Sequence, residues 1–159
     1  MFSLIISIIA IALVASLALA SIYYGGSAFQ EGTTKAEAVT IINQGQQLQG
    51  AATLADVDEV TFASIDDLKP TYVKDIPTVR SESWTLNTTD NVFELRLYNV
   101  TDGYVLNEVC YKINEKAGNM KEPTEISAVA AQYGCYYRDL NMPIAIYRIP
   151  SAIQYELPN

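Results

Sequence analysis

Residues 1–30, MFSLIISIIAIALVASLALASIYYGGSAFQ, contain no Asp, Glu, Lys or Arg; the first charged side chain is Glu31. Few features restrict a fold more. A long apolar helix without charge must be covered by lipid or by protein, because water opposes its exposure. At 1.5 Å per residue, Met1 to Tyr24 makes a helix about 36 Å long, against about 30 Å of bilayer hydrocarbon. Three roles fit: a cleaved export signal, a membrane anchor, or a rod that packs against other subunits. An export signal normally opens with basic residues and carries a shorter apolar run. Here there is no leading Lys or Arg, although Ala18-Leu19-Ala20 has the small-residue form of a cleavage site. The span and the rod fit better.

Ser3, Ser7, Ala10, Ala12, Ala15, Ser16, Ala18, Ala20 and Ser21 are scattered among Ile, Leu and Val. Small residues let helices approach closely in an apolar medium, and they are also common in ordinary anchors. Tyr23 and Tyr24 stand where an interfacial aromatic belt belongs. Gly25 and Gly26 follow, a weak point at which a helix can loosen or stop. Beyond them Ala38, Ile41, Gly45, Leu48 and Ala52 recur at spacings of three and four, a narrow helical stripe that predicts an amphipathic continuation ending near Leu54. Gly32, Gly45 and Gly50 each cost such a helix up to about 1 kcal/mol against Ala. Close packing of the stripe on a sheet would offset that cost.

The remaining chain is acidic: ten Lys and Arg against eighteen Asp and Glu give a net charge of −8. Phosphate neutralisation needs cations, so no direct nucleic-acid binding is expected. Histidine is absent, which removes the commonest general base and the commonest metal ligand. Asp66–Asp67 reads as a helix start rather than a catalytic pair. Asp56, Asp58 and Glu59, with Asp66 and Asp67, lack the loop spacing of a calcium motif and read as solvated charge. No catalytic constellation, metal site or cofactor is implied. Two cysteines are too few for a thiolate-rich zinc site. Behind a hydrophobic leader, Cys110 and Cys135 read as one disulfide formed in an oxidising compartment; two buried thiols are the alternative. Closing the loop of about 25 residues between them would contribute about 3–4 kcal/mol. Eleven tyrosines fit half-buried strand positions, or an exposed aromatic patch for subunit contact. Asn87-Thr88-Thr89 and Asn99-Val100-Thr101 match the N-glycosylation acceptor pattern, a match frequent by chance.

Local signals organise the head. Ser64 and Asp67 form a capping arrangement over a short turn to Leu68, ended by Pro70. Trp84 and Leu86, then Phe93, Leu95 and Leu97, alternate with polar residues on either side of an NTTDN turn and predict an antiparallel hairpin. Asp102 is positioned to cap a helix carrying Val105, Leu106, Val109, Cys110, Ile113 and Ala117 on one side, with Gly118 as its stop. Residues 119–132 show no period and read as an irregular surface segment. YGCYYRDL and IAIYRI, around a turn at Asn141, predict a second hairpin. A disulfide would then tie the helix at 105–117 to the strand at 133–138.

These pieces resemble the type IV pilin and pseudopilin family. The resemblance rests on an uncharged leading helix that continues as an amphipathic one, a small sheet laid on it, and two late cysteines. Within it, Tyr72-Val73-Lys74-Asp75-Ile76-Pro77 followed by Trp84 is similar to the family's Tyr-Leu-x-x-Ile-Pro run and Trp. VCYKIN (109–114) and GCYYRDLN (134–141) are similar to the edges of its disulfide-bounded region. The chain departs from the family at Ile5, where a glutamate is usual, and at Ile22, near a usual helix-breaking proline, for which Gly25–Gly26 is the candidate substitute. The family's basic leader is also missing, and Met1 is taken as a processed N-terminus.

The resemblance implies an α+β pilin-like fold: residues 1–54 a long helix (1–24 transmembrane or filament core, 25–54 amphipathic), residues 55–159 a globular α+β head. It implies a structural subunit, not an enzyme, that polymerises into an extracellular type IV pilus-like filament on a bacterial surface. Its partners would be identical subunits, with inner-membrane lipid and a pilus assembly machinery beforehand. The filament core would be lined by Met1, Phe2, Leu4, Ile5, Ile8, Ile9, Ala12, Leu13, Ala15, Leu17 and Leu19. A minor pilin, a secretion-system pseudopilin, and a single-pass anchored extracellular binding domain are the alternatives.

Overall fold

The computed structural model describes residues 2–139 and 141–150, with the backbone alone for Ser27. Met1 of the expected core list lies outside the described residues. Helix α1 runs from Phe2 to Val57, three residues past the expected end. It passes through Gly25 and Gly26 unbroken, so the expected weak point is not a stop in this structure. The chain divides between Lys35 and Ala36 into two units. The second therefore begins well before residue 55 and takes in the amphipathic half of α1.

That half supplies Ala38, Ile41, Ile42, Leu48, Ala51, Ala52 and Ala55 to the core of the head. The three-and-four stripe is thus a buried face. Gly45 lies on it, beneath Tyr147. A Cβ built at Gly45 would stand 2.9 Å from Tyr147 Cγ, whereas one at Gly32 or Gly50 meets nothing within 4 Å. Only the first of these glycines is required by close approach. Polar side chains flank the stripe: the Trp84 indole N–H donates to Gln44 Oε1 at 2.9 Å, and Gln44 Nε2 donates to the Thr78 carbonyl at 3.2 Å. Arg80 pairs with Glu37 at 3.1 Å.

After α1, a 3-10 turn spans Ile65–Leu68, and its capping box is complete. The Asp67 carboxylate accepts the backbone N–H groups of Ala63 and Ser64. A small ribbon follows, β1 (Thr78–Val79) against β2 (Glu82–Ser83). The main sheet has four antiparallel strands: β3 (Thr85–Asn87), β4 (Val92–Arg96), β7 (Tyr133–Tyr137) and β8 (Pro143–Arg148), in the order β3-β4-β8-β7. Both expected hairpins are present. They join through β4 and β8, whose register runs from Val92–Arg148 to Arg96–Ile144. One sheet face, with Phe93, Leu95, Cys135, Ala145 and Tyr147, belongs to the main core. The other carries Val92, Tyr136, Ile144 and Ile146 under Val129 and Ile126. Both faces are covered, so β4 reads buried at adjacent positions rather than in strict alternation.

The second helix differs from expectation at its start. α2 spans Asn107–Ala117, and its N-cap is Leu106, without a side-chain cap. Val105 instead belongs to β6 (Tyr104–Val105), paired with β5 (Tyr98–Asn99). The Leu106 N–H donates to the Leu97 carbonyl at 2.8 Å, which holds this stretch extended until α2 begins. Asp102 is used elsewhere, its carboxylate accepting the Ser81 hydroxyl at 2.6 Å. The far end matches: Gly118 is left-handed at φ 72° and donates to the carbonyls of Asn114 and Glu115. Residues 119–132 hold only one 3-10 turn, Ile126–Ala128.

Candidate assembly surface

From Phe2 to Gly26 every side chain of α1 is exposed. Phe2, Leu4, Ile5, Ile8, Ile9, Ala12, Leu13, Ala15, Leu17 and Leu19 are all on this surface. They surround the helix rather than forming one stripe, so the helix has no polar side to present to water. It is long and apolar enough to cross a membrane. Two of its serine hydroxyls bond within the helix. The Ser7 hydroxyl donates to the Ser3 carbonyl at 2.9 Å, and that of Ser16 to the Ala12 carbonyl at 2.8 Å. A hydroxyl bonded within its own helix can enter an apolar medium without an orphaned donor. Tyr23 and Tyr24 meet edge to face, ring centroids 5.6 Å apart. Further along, Glu31 and Lys35 pair at 2.7 Å one turn apart, the first charges on the chain.

The head is closed in a different way. Cys110 on α2 and Cys135 on β7 form a disulfide, Cα atoms 5.4 Å apart, and both are fully buried. Beside it lies Asn114, among the described residues the one buried side chain classed as polar or charged. Its Oδ1 accepts the Cys135 N–H at 2.8 Å, and its Nδ2 donates to the carbonyls of Cys135 at 2.9 Å and Lys121 at 3.2 Å. Asn119 does the same one step along, donating to the Tyr133 carbonyl and accepting from the Ala131 N–H. The Tyr137 N–H donates to the Pro123 carbonyl at 2.8 Å. The outer edge of β7 is thus occupied by side chains and loop, which removes a template for strand pairing between molecules. Gly134 makes this possible, since a Cβ there would stand 2.5 Å from Asn119 Nδ2. Sequence reasoning missed both asparagines; nothing local distinguishes them from surface residues.

The tyrosines divide. Tyr136 and Tyr147 are buried in the sheet, and Tyr72, Tyr98, Tyr104, Tyr111, Tyr133 and Tyr137 are half-buried. Tyr133 and Tyr147 stack, centroids 5.9 Å apart. Burial, reinforced by the Tyr111 hydroxyl, holds the Tyr137 phenol well above its usual range. Strand packing accounts for most of these rings, and among the described residues the exposed pair is Tyr23 and Tyr24 on α1.

Three of the five acidic residues from Asp56 to Asp67 are engaged in local structure. Asp67 completes the capping box, Asp66 pairs with Lys69 at 2.6 Å, and Asp58 accepts the Tyr72 hydroxyl at 3.0 Å. Among the described residues, no three His, Cys, Asp or Glu side chains are placed to hold a metal ion. A groove of about 530 Å³ beside Trp84 is lined by Ser64, Asp66, Lys69 and Asp75 among others. Ser64 is already the N-cap and Asp66 is already paired.

No family model matches the sequence. Neither does any curated protein or solved structure.

Proposed function

We propose that this chain is the structural subunit of a type IV pilus-like filament, polymerising through the apolar half of α1. The supporting observation is a helix surface that is apolar all round, with the Ser7 and Ser16 hydroxyls bonded to their own helix, on a chain whose head already has its own closed core. Such a helix is stable in lipid as a stored monomer and stable again among copies of itself, because both settings bury its surface and leave its backbone satisfied. About twenty apolar side chains at about 1.5–3 kcal/mol each supply tens of kcal/mol of gross driving force. Loss of lipid contacts and of motional freedom offsets much of it. With no carboxylate at Ile5, register comes from shape, through the small residues between the large ones.

In this reading the head is displayed outside the cell, consistent with its disulfide and its negative charge. The unassembled subunit sits in the inner membrane, where an assembly machinery extracts it. A minor pilin or secretion-system pseudopilin uses the same chemistry in fewer copies. The length of the apolar run favours one further reading, a single-pass anchor holding a monomeric extracellular binding domain.

Sheared surface material, imaged and identified by mass, separates these roles. A filament composed mainly of this chain supports the major subunit, and trace amounts point to the minor one. Protein recovered only as a lipid-embedded monomer defeats polymerisation. The register idea has its own test: Ala12→Leu with Ala15→Phe should lower filament yield severalfold while membrane insertion stays normal. An unchanged yield would show that shape does not set register.

A further inference from the structure

Asn87-Thr88-Thr89-Asp90 and Asn99-Val100-Thr101-Asp102 are two copies of one Asn-x-Thr-Asp pattern, and the fold gives both the same turn. Asn87 Oδ1 accepts the N–H groups of Thr89 at 3.0 Å and Asp90 at 3.1 Å. Asn99 Oδ1 accepts those of Thr101 at 2.8 Å and Asp102 at 2.9 Å. The surroundings of the two amide nitrogens differ. Asn87 Nδ2 donates to Asp90 and, at 2.8 Å, to Glu94. Glu94 is only 12% exposed and also meets Arg138, at the centre of the main sheet. Asn99 Nδ2 donates to Glu82 at 2.6 Å and to the Ser81 hydroxyl at 3.2 Å, both on the small β1–β2 ribbon. The tip next to it is open, with Val100 80% exposed and Thr101, Asp102 and Gly103 exposed.

We propose that Asn99, and not Asn87, is the acceptor of an N-linked glycan. The donor class is a lipid-pyrophosphate-linked oligosaccharide. Its anomeric C–O bond breaks, a C–N bond to Asn99 Nδ2 forms, the amide gives up one proton, and the lipid pyrophosphate leaves. Asn99 Nδ2 has two hydrogens and two acceptors in the folded turn, so the glycosylated amide keeps one hydrogen for Glu82 or Ser81. With that hydrogen on the half-buried Glu82, the displaced acceptor is Ser81, which is exposed and can turn to water. At Asn87 the exposed Asp90 could likewise give up its bond, but a sugar on Nδ2 would stand beside Glu94, 2.8 Å away and 12% exposed within the sheet's polar network. Transfer takes place before the turn closes, on the side of the membrane where Cys110 and Cys135 are oxidised, and the bulky, solubilising group then sits on a surface turn. This depends on the head crossing a membrane, which the disulfide supports, and not on filament formation.

Intact-mass measurement on the full chain isolated from the cells that make it tests the site. The expected result is a mass excess of one oligosaccharide, lost in Thr101→Ala, retained in Thr101→Ser and unaffected by Thr89→Ala. Thr101→Ala deletes the hydroxyl that the acceptor pattern requires but keeps the backbone N–H that closes the turn, so misfolding is not confused with loss of modification. Peptide mapping should place the sugar on Asn99. An unmodified mass, or sugar on Asn87 or on a hydroxyl side chain, overturns the proposal. Filaments built from unmodified chains would overturn it alone, leaving assembly intact.

Discussion

Ile5 and Leu13 are 54% and 60% exposed, while Ile41, on the same helix, is 2% exposed. All three are large aliphatic residues, so hydrophobicity does not separate them. Ile41 has a sheet of its own chain to lie on, and Leu48, Ala52 and Ala55 follow it at spacings that keep one face toward that sheet. The residues around Ile5 have apolar neighbours on every side of the helix. No single sheet could cover them, because a sheet contacts one face of a helix. An amphipathic pattern calls for a partner within the chain. A pattern that is apolar all round calls for a surrounding medium, either lipid or many copies.

The strongest way to break this contrast is a charge in the apolar half. Ile9→Asp should abolish both stable membrane insertion and filaments, since a carboxylate at mid-bilayer costs about 2.5–3.5 kcal/mol on insertion scales. The urea midpoint of the head should not move. A shift in that midpoint would mean that the two halves are not energetically separate.

Disulfide loss should do the reverse. Cys110→Ser with Cys135→Ser should cost the head about 3–4 kcal/mol, read as a lower denaturation midpoint, and leave membrane insertion unchanged. Next in size, Asn114→Ala removes three hydrogen bonds and leaves the Cys135 N–H without its buried acceptor, a cost of about 1–3 kcal/mol. Equilibrium unfolding with the disulfide intact measures it, and a loss well below 1 kcal/mol would show that water takes over the β7 edge.

The smallest effects come from the glycines of α1, and they differ in sign. Gly45→Val should destabilise the head by about 1–3 kcal/mol, because the added methyls meet the Tyr147 ring. Gly50→Ala, with open space around it, should stabilise by up to about 1 kcal/mol from helix propensity. Thermal melts of the two variants compare them directly, and equal shifts would remove the case for close approach at Gly45.

Much of this architecture was legible. Ser64 with Asp67, the Gly118 stop, the two hairpins and the Cys110–Cys135 link are signals carried by neighbouring residues or by elimination between two cysteines. The stripe from Ala38 to Ala52 was legible because its period is short. Val105 was assigned to a helix because its spacing agrees with Val109. The fold places it in a strand because the Leu97 carbonyl claims the next N–H. Asp102 looked like a helix cap, but Ser81, far away in sequence, took its carboxylate.

The candidate assembly surface was the most legible part, since its exposure follows from having no polar face at all. By itself, the sequence determined that residues 1–24 need an apolar environment, that an amphipathic helix follows, and that the head is α+β and cross-linked once. Those facts are local, arising from side-chain chemistry and period. Only the tertiary structure decided that β8 lies between β4 and β7, that Gly45 is the glycine the sheet requires, and that Asn114 and Asn119 seal the β7 edge. Each of these depends on which distant backbone groups meet, and a partner far along the chain leaves no mark on the residues beside it.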